Sequence, residues 1–221
     1  MGLDFKIDSE TDFFNGLIEL QYGQEDLIEM KRIAQKVSWA KGWPGDNVAF
    51  WNAEAFMWQQ KIEKGKRELI KDELGFLSSG KNLDLGCGSY SYIKSVGFDF
   101  SEKMLQFNDN CVEKVLGSLE KKLPFDEVGF DSVTAIFVFN YINHYKSLLL
   151  EVRRVLKQNG HFVMVLGNVN DWQKQKEINS FNIDEWKEVL KKVGFVVEFE
   201  EKERLWFFKC VKSVNVLKSE N

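Results

Sequence analysis

The stretch that decides the fold is Leu83 to Phe100, LDLGCGSYSYIKSVGFDF. It reads as a short buried strand, a Gly-Cys-Gly turn, and a second strand that ends on Asp99. In a parallel sheet such a turn normally opens a long crossover helix before the chain re-enters the sheet. Here only nine residues separate Gly88 from Phe98, enough for a turn or so of helix. Gly86 and Gly88 let the backbone come close to a ligand, because no side chain intervenes. Exposed N–H groups at such a turn can hold an anion. Asp99 stands where a carboxylate accepts from two ribose hydroxyls.

Two ligand classes fit this pattern, a dinucleotide and S-adenosylmethionine. The dinucleotide fingerprint wants a third glycine where Ser91 stands and an acid about 20 residues past the turn. Asp99 comes too early for that, and a pyrophosphate also wants the N-terminus of a full helix.

Beyond residue 100 the pattern alternates. EKVLGS (113–118) is a candidate strand, and FDSVTAIFVFN (130–140) is a strong apolar one. YKSLLLEVRRVLKQNG (145–160) predicts a helix closed by Asn159-Gly160. HFVMVLGNV (161–169) is the next strand. FNIDEWKEVLKKVGF (181–195) predicts a helix with Asn182 as N-cap and Gly194 at its end. FVVEFE and RLWFFKCV read as an antiparallel hairpin across a charged turn. Such alternation implies a mostly parallel sheet covered on both faces, with ligands at the carboxyl ends of the strands.

Before residue 80 the spacing is helical. Phe13, Leu17 and Leu20 share a face, as do Leu27, Met30, Ala34 and Val37. After the turn residues GWPGDN (42–47), Val48, Trp51, Ala55, Trp58 and Ile62 predict one amphipathic helix, and Leu69, Ile70 and Leu74 another. We expect residues 1–76 to form an N-terminal helical cap and 77–221 the sheet-bearing core. The aromatic helices are expected to cover the sheet face that the shortened crossover leaves open. The alternative is a compact helical turn over 89–97.

The 221 residues are 44% hydrophobic and 29% charged, with a formal net charge of -4. That balance argues against broad nucleic-acid binding, which needs a basic face. Three widely spaced cysteines give neither a disulfide framework nor a metal pattern, so no metal is expected. The first residues, MGLDFKIDSETDFF, lack the apolar segment of a secretory leader. Lys6 stands where myristoylation wants Ser or Thr. No apolar run approaches membrane-span length, so no membrane association and a cytoplasmic location are expected.

Four segments in order, NLDLGCG, GFDFSEKML, KLPFDEVGFDSV and VRRVLKQNGHFVMV, resemble the class I S-adenosylmethionine-dependent methyltransferases. The closest likeness is to the methyltransferase type 11, or UbiE-like, group, over roughly residues 76–212. The resemblance implies an α/β fold: a Rossmann-like seven-stranded sheet, mostly parallel, with an antiparallel last strand. It implies S-adenosylmethionine as cofactor. Asp84, Gly86, Cys87 and Gly88 would surround the methionine end, with Cys87 acting through its backbone. Asp99 would bind the ribose, and Phe100 and Met104 would pack on the adenine. Ser118 and Leu119 would meet the adenine edge, and Ile136 and Phe137 would offer carbonyls to the methionine ammonium. The family commonly has a third glycine where Tyr90 stands and an Asp near Ser118. Glu120 is close to that second position but displaced.

Methyl transfer from a sulfonium is an in-line displacement, so the protein must mainly align the partners and exclude water. The site is expected just past the strong strand, in FNYINH, where Asn140, Tyr141 and His144 are the polar candidates. The Asn/Asp-Pro-Pro-aromatic signature of adenine or glutamine amino-group methylation is absent, as is a Pro-Cys pair for attack on a pyrimidine ring. A small aromatic or apolar metabolite is therefore the expected acceptor. The alternatives are tRNA or rRNA, through the basic runs 61–67 and 187–192, and a non-catalytic binding module of the same fold. Oligomeric state is not legible.

Overall fold

The computed structural model describes residues 8–21, 23, 26–167 and 177–213, with the side chain of Gln59 excepted. The start of the chain, with Lys6, and the last two residues of the expected strand 161–169 lie outside the described residues.

Among the described residues seven strands form one sheet in the order β3-β2-β1-β4-β5-β7-β6. They are β1 (Asn82–Leu85), β2 (Ser95–Asp99), β3 (Cys111–Leu116), β4 (Phe130–Ile136), β5 (Leu156–Gly167), β6 (Phe195–Lys202) and β7 (Leu205–Lys212). The first five are parallel, and β7 runs antiparallel between β5 and β6. The β6–β7 hairpin turns on Glu203 and Arg204, at φ 49° and 65°, the left-handed pair whose twist matches that of the strands.

β1 and β2 are buried at every position, so both faces need cover. One face carries α7 (Tyr145–Val155) and α8 (Ile183–Val193). Leu148, Leu149, Val152, Trp186 and Leu190 pack there against Leu83, Phe98, Phe162 and Phe208. Asn182 caps α8 and Gly194 ends it at φ 98°, as expected, and Glu185 adds a reciprocal bond that makes a capping box.

The other face is covered from the N-terminus. Trp58 and Ile62, with Ile70, Leu74 and Leu77 of the α5 region (α5, Lys64–Glu73), join Val163, Val165, Leu205 and Phe207 in one apolar cluster. Tyr92 and Ile93, from the segment between β1 and β2, complete it. Further out, α1 (Ser9–Gln21), α2 (Leu27–Ala34) and α3 (Asn47–Ala55) build a separate core around Phe13, Met30 and Phe50. That core is fastened to α6 (Glu102–Phe107) by Asn52, whose Oδ1 accepts from Ser101 Oγ at 2.7 Å.

Four elements depart from expectation. The helix expected over 48–62 is broken: α3 ends at Ala55, Met57 sits at φ −116°, ψ 0°, and α4 (Trp58–Lys61) restarts the helix. The break turns Trp58 toward the sheet, and an ion pair between the buried Glu54 and Lys61 spans it. Residues 89–94 contain no helix at all. α7 stops at Val155, not at Asn159-Gly160, because Val128 and Gly129 donate to the carbonyls of Arg154 and Val155 and Leu156 already pairs with Phe130. β4 ends at Ile136, four residues early, because Phe137 turns the chain at φ 57°.

Candidate active site

The Gly-Cys-Gly turn is held up by side chains where a crossover helix would stand. The Asn108 amide, fully buried, donates to Cys87 O at 3.3 Å, Gly88 O at 3.0 Å and Ser91 Oγ at 3.1 Å, and its Oδ1 accepts from Ser91 N. Asn110 Nδ2 donates to Ser91 O at 2.7 Å. Ser91 Oγ donates in turn to Asp84 Oδ2 at 2.6 Å, and Thr134 Oγ1 to Asp84 Oδ1 at 2.7 Å. Sequence reasoning missed Asn108 and Asn110, which look like ordinary turn residues ahead of a strand.

The turn amides do not face outward as expected. Gly86 N and Cys87 N donate to Phe98 O at 2.7 and 3.3 Å, and Gly88 N donates to Asp99 Oδ2 at 3.0 Å. The glycines matter through their shape. Both lie in the left-handed region, at φ 59° and 56°. A Cβ on Gly86 would stand 2.7 Å from Val138 Cγ2, and one on Gly88 3.1 Å from Trp58 Nε1.

Above this turn, at the carboxyl ends of the central strands, lies a cleft of about 330 Å³. Gly86, Gly88, Asp99, Phe100, Met104, Ser118, Leu119, Ile136, Phe137 and Tyr141 all line it. Asp84 and Cys87 line a smaller pocket that adjoins it past Trp58. Asn140 and His144 line neither. The Asn140 amide donates to Glu177, and His144 points outward, its side chain 70% exposed, with Nδ1 2.9 Å from Glu120 Oε2.

At its far end the cleft is walled by Val48 and Trp51 from the cap and by Tyr141, Ile142 and Ile178 from the core. Trp51 and Tyr141 meet edge to face at 5.3 Å. Asn47, Glu120 and Asn143 supply its polar rim. Glu120 does not take the place of the missing adenine acid. Its carboxylate accepts from the backbone and side chains of Asn143 and His144, tying the loop after β3 to the loop after β4. Burial raises its pKa, but these four bonds outweigh burial and leave it below the usual range.

Burial lifts both Asp84 and Asp99 to about 6. Burial also raises the Tyr141 phenol, with the Glu177 charge adding to it, so Tyr141 stays protonated at neutral pH. The cysteines are less scattered than their spacing suggests. Cys87 and Cys111 lie side by side, and the neighbouring sulfur together with burial raises the Cys87 thiol. Both sulfurs crowd Gly97, where a Cβ would lie 2.9 and 2.2 Å from them.

Residues 83–164 match the family described as methyltransferase domain. An uncharacterized Methanocaldococcus jannaschii protein is 35% identical over 113 residues, 48% of this chain and 43% of that protein. The ubiquinone/menaquinone biosynthesis C-methyltransferase of Burkholderia mallei is 34% identical over 127 residues, 48% of this chain and 52% of its own length. The chain thus spans about half the length of these curated relatives. A Haloferax volcanii methyltransferase solved in complex with the Trm112 methyltransferase activator shares the fold at TM-score 0.63 and 18% identity, covering 75% of this chain and 96% of that one. Sheet order, cleft position and the matched span agree: residues 83–164 match a methyltransferase domain, and the fold is that of solved S-adenosylmethionine-dependent methyltransferases.

Proposed function

We propose that this protein transfers a methyl group from S-adenosylmethionine to a small aromatic or apolar metabolite. The observation that carries the reading is the single cleft running from Asp99 to the Trp51–Tyr141 wall, with a nucleoside-like half and an apolar half. The residues fit the cofactor. Asp99 is a carboxylate for ribose hydroxyls, Phe100, Met104 and Leu119 offer apolar contact to a base, and Gly86 keeps the floor clear. When bound, the cofactor supplies an activated methyl on a sulfonium.

This chain's own residues then bind, orient and exclude water. Val48, Trp51, Tyr141, Ile142 and Ile178 make the acceptor half apolar, which selects against charged acceptors. Tyr141, held as a phenol, orients an acceptor through its hydroxyl or ring edge and does not serve as base. Asn140 and His144 act through the loop: Asn140 accepts from Ile178 and Asn179 N–H through its carbonyl, and His144 meets Glu120. Residues 1–76 serve as the cap that roofs the acceptor half, and 77–221 as the cofactor-binding core. A cytoplasmic setting accords with the three free cysteines, and no helix among the described residues is long and apolar enough to cross a membrane.

A nucleic-acid acceptor is disfavoured by the net charge of -4, and three cations of the basic runs have acidic partners. Lys61 pairs with Glu54, Lys64 with Glu68 and Lys187 with Asp184. The test is calorimetry with S-adenosylmethionine, followed by incubation of metabolite and RNA pools with methyl-labelled cofactor. Micromolar binding and label in a small apolar product are expected. Label in RNA overturns the acceptor assignment, and no binding at high micromolar cofactor points to a non-catalytic module.

A further inference from the structure

A cofactor carrying an amino-acid tail brings a carboxylate to a Gly-Cys-Gly turn whose three amides are already committed. The N–H groups of Gly86, Cys87 and Gly88 are spent on Phe98 O and Asp99 Oδ2. A carboxylate leaving water for a buried site needs donors from somewhere else. No crossover helix stands behind the turn to present a fresh set of N–H groups.

The adjoining pocket supplies them. It continues from the main cleft past Trp58, Gly86 and Phe137, with a volume of about 10 Å³, room for a single water. Tyr92 lines it, 6% exposed, and its hydroxyl has no hydrogen-bond partner among the described residues. A buried hydroxyl left unpaired is uncommon and calls for an explanation. Trp58 lines it from the cap, its indole Nε1 3.1 Å from the place a Cβ on Gly88 would take. Only a glycine there lets the indole N–H come so close to the turn. Burial and the Asp84 and Tyr90 charges raise the Tyr92 phenol, with the Arg67 charge opposing them, so its hydroxyl stays a donor. Asp84 lines the pocket as well, its oxygens held by Ser91 and Thr134.

We propose that Trp58 Nε1–H and the Tyr92 hydroxyl hold the carboxylate of the cofactor's amino-acid tail, in place of turn amides. The N-terminal cap is then part of the cofactor site as well as the acceptor site. The assignment rests on the S-adenosylmethionine reading above. Because the pocket holds about one water, the two aromatic side chains part by a small rotamer adjustment as the tail enters.

The test compares two ligands by calorimetry: S-adenosylhomocysteine, which has the tail, and 5′-methylthioadenosine, which lacks it. In Trp58→Phe and Tyr92→Phe, each missing one donor but keeping its ring, S-adenosylhomocysteine affinity should fall about tenfold. Methylthioadenosine affinity should stay within about twofold of wild type. Thermal melts check folding, and if Trp58→Phe does not fold, Tyr92→Phe, short of a single oxygen, decides alone. Unchanged S-adenosylhomocysteine affinity, or a gain from Trp58→Phe as expected of a mere plug, overturns the assignment. So does equal weakening of both ligands. Wild-type protein that binds neither ligand overturns the parent reading and this one with it.

Discussion

The two faces of the sheet are covered by different means. On one, α7 and α8 lie close in sequence to the strands they cover, and each carries its own apolar stripe, α8 with its own start and stop as well. On the other, the crossover between β1 and β2 has no helix, and cover comes from α4 and α5, which precede the first strand. The first face is built chiefly by packing, with Arg153 of α7 donating at its edge to the carbonyls of Gly194 and Ser213. The second combines packing with a polar strut, in which the Asn108 and Asn110 amides hold residues 87–91 in place. The difference teaches that a parallel sheet fixes the need for cover and leaves its source free. A borrowed cover can bring side chains such as Trp58 and Trp51 to the ligand cleft, where a local helix would have offered backbone.

The largest effect expected from this contrast is on stability, at the locally covered face. Trp186 is fully buried and meets Phe139, Tyr145 and Phe181 edge to face. Trp186→Ala should cost about 3–5 kcal/mol in urea denaturation. The protein that remains folded should bind S-adenosylhomocysteine within about twofold of wild type, because the site leans on the other face. An affinity loss matching the stability loss would erase the distinction between the faces.

A smaller loss of stability with a larger loss of binding is expected at the strut. Asn108→Ala removes three donated bonds from buried acceptors beneath the turn. It should cost about 2–3 kcal/mol of stability, since stranded polar groups lose their partners. It should also weaken S-adenosylhomocysteine about tenfold, because Gly86 and Gly88 are no longer fixed as the floor of the cleft. Unchanged affinity in a folded variant would mean that the turn holds its shape without the strut.

Legibility follows the same division. α8 was readable because Asn182, Glu185 and Gly194 act within one helix, and the β6–β7 hairpin because its strands are adjacent in sequence. The sheet order came with the resemblance. The strut was hidden because an Asn in a turn carries no sign of a partner 20 residues earlier. The break at Met57 was hidden because the apolar spacing of Trp51, Ala55, Trp58 and Ile62 continues across it, and the direction of Trp58 is set by tertiary contact with the turn. Cys87 and Cys111 looked unrelated because the turn after β1 and the start of β3 meet over Gly97 of β2 only after folding. The orientation of the turn amides was misread for a further reason: a glycine turn shows that backbone comes close, and says nothing of which way its N–H groups point.

The smallest effect is also the one that separates two acids of equal pKa. Asp84 and Asp99 are both raised to about 6 by burial, above an ordinary value of 3.8. For a group raised on folding, its stability contribution is complete below about pH 3.8 and is lost as pH rises through about 6. Both acids therefore favour the folded state at pH 5 over pH 7, by about 1 kcal/mol per pH unit at most for each. Binding runs the other way for Asp99 alone. It lines the main cleft and must be ionised to accept from ribose hydroxyls alongside the Gly88 and Ser101 N–H groups it already holds, whereas Asp84 does not line that cleft and is bonded to Ser91 and Thr134. S-adenosylhomocysteine affinity should thus fall as pH drops through about 6, by up to about tenfold per unit. Asp99→Asn should bind more weakly at pH 8 and lose this dependence, while Asp84→Asn should keep it. If Asp84→Asn flattens the profile and Asp99→Asn does not, the ribose carboxylate has been assigned to the wrong strand.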